Sequence, residues 1–68
     1  MNTEEIRQKY LALHNALGSR KDAENKELFD RKHRQIWYDC DVELQQRKAE
    51  LEAKSTLTDE ERAELDEF

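Results

Sequence analysis

The sequence predicts an all-α single domain over residues 1–68, with one long central helix flanked by two shorter antiparallel helices, closing as a dimeric helical bundle. Three observations predict it. The stretch from Ser19 to Lys54 contains neither glycine nor proline and is charged at almost every other position, as a solvated helix would be. The whole chain has no proline, one glycine and 43% charged residues, a composition typical of helical hairpins, bundles and coiled coils. Its apolar residues recur three and four apart, not in the alternation of a strand. That ordering also weighs against disorder, for which 35% apolar content and a net charge of −5 would otherwise be borderline.

The first helix is expected at about 3–17. Asn2 supplies its cap, with Glu5 three residues on to complete a capping box. Ile6, Tyr10, Leu13 and Leu17 then share one face, and Gly18, free to adopt a left-handed C-cap, ends the helix. The second helix is expected at about 21–54, capped by Ser19 or Asp22 and roughly 50 Å long. Its main stripe is Phe29, Ile36, Cys40, Leu44 and Leu51, flanked by Trp37 and interrupted by His33 and Arg47. A second stripe, Leu28, Tyr38, Val42, Ala49 and Ala53, lies on another side, which implies more than one neighbour. Asp39-Cys40-Asp41-Val42 has the weakest helix propensity and is where a kink would fall, although continuity is favoured. Thr58 and Glu61 form a second capping box for a third helix at about 59–68, with Leu65 and Phe68 facing inward.

Connection lengths then set the packing. The first helix should return along the first half of the second, with Leu17 near Ala23 and Ile6 near His33. The third should return along the second half and bring Phe68 towards Glu43 or Leu44. Both chain ends would meet beside Trp37, Tyr38 and Cys40. Such a small chain buries little apolar surface, and its single cysteine cannot pair internally, so a homodimer or another partner is the expected source of added stability. A lone thiol suits a reducing compartment. With no apolar run of signal-peptide or membrane-span length, the expectation is a soluble, cytoplasmic protein with no membrane partner.

Charge is segregated. Asp59, Glu60, Glu61, Glu64, Asp66 and Glu67 face Arg62 alone in the last segment, which accounts for the whole net charge of −5. An acidic surface for a partner is one reading; a solvated, dipole-compatible helix is the plainer one. The basic segment Arg31-Lys32-His33-Arg34, next to Trp37 and Tyr38, has the residue types of a nucleic-acid groove. Consecutive residues turn by about 100°, however, so these cations spread round the helix. Ion pairs Glu27–Arg31 and Asp30–Arg34 explain them more simply, which disfavours nucleic acid as the partner. A structural coiled-coil spacer is the third alternative.

Catalytic and metal chemistry find no support. His33 and Cys40 stand about 10.5 Å apart along the helix axis, too far for one metal ion, and His14 is expected near the start of the second helix, away from both. Asp39, Asp41 and Glu43 do not converge on one point. There is no metal-ligand, nucleotide-cradle or nucleophile motif, and Cys40 on the main stripe reads as a small core residue. No cofactor, metal or enzymatic activity is expected. Trp37 reads chiefly as core and Tyr38 as an interface anchor. The candidate partner-binding residues are Leu28, Arg31, Arg34, Trp37, Tyr38, Val42, Glu60 and Glu64, and the expected partner is another protein. The general plan resembles the small plasmid and phage regulators of the Rop type, with no motif matching residue by residue. A regulator, adaptor or inhibitor of bacterial or phage origin would fit.

Overall fold

The computed structural model describes residues 2–68. Among these, three α-helices form: α1 (Thr3–Leu17), α2 (Lys26–Ala53) and α3 (Asp59–Asp66), with a 3-10 turn at Arg20–Asp22. No strand occurs among the described residues.

The caps explain the boundaries. The Asn2 side chain accepts from the Glu5 amide at 2.8 Å, and α1 stops at Gly18, whose φ of 83° would strain any other residue. Thr58 accepts from the Glu61 amide while Glu61 accepts from the Thr58 amide, both at 3.1 Å, so the capping box at the start of α3 is complete.

The start of α2 differs from expectation. Ser19 caps only the short 3-10 turn, accepting from the Lys21 amide at 3.2 Å; Ala23 is extended, and α2 begins at Lys26 under the Asn25 cap, which accepts from Leu28 at 3.0 Å. Lacking glycine and proline, this segment still breaks, because an asparagine side chain competes for the backbone and favours the cap over the helix interior. Beyond it α2 is continuous through Asp39-Cys40-Asp41-Val42. Tertiary packing decides there: Cys40 is buried under α1, which offsets the low local propensity.

The longer connection shifts the packing register. Ile6 and Tyr10 form the core with Cys40, and Ile36 and Leu44 close round them. Ile6 thus meets α2 seven residues, two turns, beyond the expected His33. His14 takes the place opposite His33, with ring centroids 5.1 Å apart. The N-terminal end consequently runs on to Arg47, where it meets the side of α3, instead of stopping beside Trp37. The last two residues lie outside α3, and Phe68 is exposed instead of facing inward.

α1 and α3 lie end to end on one side of α2. Cys40 under α1, and Arg47 and Lys54 which bind α3, are seven residues apart and so share that side. The result is a rod of 50 × 15 × 15 Å, only two helices thick. Its radius of gyration is 15.3 Å, against about 11 Å for a compact domain of this length. Among the described residues no helix is long and apolar enough to cross a membrane.

Candidate interaction surface

The other side of α2 has no covering element. Tyr38 is 66% exposed, and Val42 beside it and Leu28 further along the same side are exposed as well. Tyr38, Asp41, Val42, Gln45, Gln46 and Ala49 line a shallow groove whose open surface is almost wholly carbon. Tyr38, Val42 and Ala49 follow one another at spacings of four and seven residues, and helical geometry keeps them in line. Of the residues expected to bind a partner, Tyr38 and Val42 are thus brought together, while Leu28 lies about 15 Å back along the same side of α2, beside Asn25 and Lys32. Asp41, Gln45 and Gln46, which share the groove, were missed because polar residues beside a stripe carry no periodic signal of their own.

Trp37 has a different role. Its indole N–H donates to His33 Nε2 at 3.1 Å, and its ring stands 5.6 Å from His14. Phe29 stacks on His33 at 6.0 Å. Trp37 therefore belongs to an aromatic cluster that secures the far end of α1, with its outer part still exposed.

The basic segment does not form a stripe. Arg31 pairs with Glu27 at 3.6 Å. Arg34 donates only to the Asp30 carbonyl, at 3.4 Å, while the Asp30 carboxylate binds Arg20 at 2.9 Å. The anticipated Asp30–Arg34 ion pair is absent because Arg20, delivered by the 3-10 turn, takes the carboxylate first.

Of the acidic candidates, Glu60 is exposed on α3, but Glu64 turns inward. Its carboxylate receives Arg47 Nε at 2.5 Å and Nη2 at 3.3 Å, a bidentate pair in which Arg47 is 16% and Glu64 13% exposed. Arg47 also reaches Glu50 at 3.3 Å. Arg47, which interrupts the apolar stripe of α2, is the docking point of α3. Lys54 binds Glu61 one turn away, and Arg7 reaches Glu67 at 3.5 Å.

These contacts fix the electrostatics. The Arg47 hydrogen bond holds the Glu64 carboxyl below its ordinary range, Lys54 does the same for Glu61, and Lys9, at 2.9 Å, for Glu43. Burial pushes the Cys40 thiol up, and the neighbouring Asp41 adds to it, so the thiol stays protonated. Three carboxylates that bind protons less readily when folded stabilise the fold above their ordinary value of 4.5. That contribution is lost as pH falls through their lower, folded values. Thermal melts followed by circular dichroism should accordingly show a lower Tm at about pH 3 than at about pH 7. The described residues hold no group of three His, Cys, Asp or Glu side chains able to share a metal ion.

No protein family, curated protein or solved structure matches the chain.

Proposed function

We propose that the protein is a non-enzymatic interaction module that closes as a dimeric helical bundle through the uncovered side of α2 and contacts another protein as a regulator, adaptor or inhibitor. The observation that carries this reading is Tyr38: a large amphipathic ring, 66% exposed, at the head of an apolar groove that no segment of the chain covers. Extent supports it as well. The accessible surface is 5363 Å², whereas a compact monomer of 8.2 kDa would expose about 4,500 Å². The acidic α3, on the opposite side of α2, carries the chain's net charge of −5, which disfavours nucleic acid as the partner. Placement inside the cell is part of the same reading.

The test is affinity capture from the native cell with the wild-type chain and a Tyr38→Ala variant. Tyr38 touches neither α1 nor α3 in any observed contact, so the variant should keep its helicity and lose the captured protein. Equal capture by both chains would overturn the reading, and nucleic acid as the retained material at low salt would replace it.

A further inference from the structure

Leu28, Arg31, Gln35, Tyr38, Val42 and Gln45 follow one another along α2 at alternating spacings of three and four, and all six are exposed. This is the heptad pattern of a helix that pairs with another along one seam. At about 100° per residue the seam is centred directly opposite Cys40 and Arg47, so α1 and α3 leave it open.

Charges flank the seam on both sides: Lys32 and Asp39 along one edge, Arg34 and Asp41 along the other. Among the described residues none of these four forms an ion pair within the chain. Asp39 receives only the Gln35 amide, at 2.8 Å, and Arg34 binds only a backbone carbonyl. Elsewhere on the same helix Glu27, Asp30, Glu43, Arg47 and Lys48 all have charged partners.

We propose that a second copy of this chain occupies the seam, α2 antiparallel to α2, with Arg34 opposite Asp41 of the second copy and Lys32 opposite Asp39 of the second copy. Two-fold symmetry repeats each pair, so all four charges left single along the seam gain a partner. The two Tyr38 rings then flank the axis, each against Gln35 of the other copy, and Val42 covers the stem of Arg31 across the seam. Other arrangements fail on charge. Sliding one helix by a heptad sets Asp41 against Asp41, Asp39 against Asp39 and Arg34 against Lys48. Sliding it by two heptads leaves Lys32 and Arg34 unpaired. A parallel pair sets Arg31 against itself inside the seam. With polar residues at half its positions, the seam makes a weak, salt-sensitive dimer.

This inference rests on the uncovered side of α2 being the working surface. The test is sedimentation equilibrium at low ionic strength on the wild-type chain, on Arg34→Glu, on Asp41→Arg and on an equimolar mixture of the two variants. Wild type should dimerise with rising concentration. Each variant alone sets like charges together at two symmetric places, and its dissociation constant should rise about ten- to a hundredfold. The mixture should regain wild-type affinity as a heterodimer, because each reversed charge meets its complement. Lys32→Glu and Asp39→Lys form an independent pair with the same expectation, should either first variant lose helicity. A wild-type chain that stays monomeric to about 1 mM, or a mixture that fails to associate, would overturn the proposal. Self-association that survives both reversals but is abolished by Tyr38→Ala would refute this register and retain the surface. A monomer whose Tyr38→Ala variant still loses its cellular partner would leave that surface to a different occupant.

Discussion

Ile6→Ala is expected to cost the chain much of its stability and to leave a substantial fraction unfolded at room temperature. Ile6 is one of only three apolar residues buried in the main core, with Tyr10 and Cys40, and Ile36 and Leu44 pack against them. Truncating a buried isoleucine costs about 2–5 kcal/mol, and a rod two helices thick has no third layer to collapse into the space. A domain of this length has a total stability of about 3–10 kcal/mol, so the loss takes much of it. Loss of helical ellipticity at room temperature checks the prediction. Leu11→Ala is the control: Leu11 is on the open side of α1, and its truncation should change the melting midpoint little.

Glu64→Ala should release α3 from the rod. The substitution removes both hydrogen bonds that the carboxylate accepts from Arg47 and leaves the guanidinium, only 16% exposed, with Glu50 alone. The expected cost is about 2–3 kcal/mol. Eight residues cannot hold a helix by themselves, so the loss should be local: faster amide exchange and proteolysis over Asp59–Asp66, with α1 and α2 protected as before. Glu64→Gln keeps the shape and one acceptor and should be milder. Equal protection of α3 in wild type and Glu64→Ala would show that Lys54–Glu61 and the buried Leu51 suffice to hold it.

What the sequence made legible was local. Periodicity placed the three helices, and the caps at Asn2 and Thr58 and the stop at Gly18 are as their side chains dictate. The main stripe of α2 is the side that packs, with Cys40 and Leu51 buried. The second stripe, through Leu28, Tyr38 and Val42, is left open.

What was not legible depended on one connection. The absence of glycine and proline over Ser19–Lys54 predicts no break, yet Asn25 makes one through its side chain. All of α1 then moved by two turns: His14 came to His33 and Ile6 to Cys40. Periodicity says which side of a helix is covered, but the slide of one helix along another depends on loop geometry, which it does not encode. Arg47 was hidden for a related reason. A cation within an apolar stripe looks like a defect until its carboxylate arrives from another helix.

The thinness of the rod has a consequence for how the molecule comes apart. Along most of its length a disturbance at one end meets no third element through which to reach the other. The exception is the junction where Arg47 holds Glu64 and Arg7 reaches Glu67. There two ion pairs tie α3 to α2 and the C-terminal end to α1, and their expected effect is to couple the melting of the two hairpins. With both pairs intact the two arms should unfold together. Without them the arms should become separate folding units on a common spine, and a single transition should divide into two.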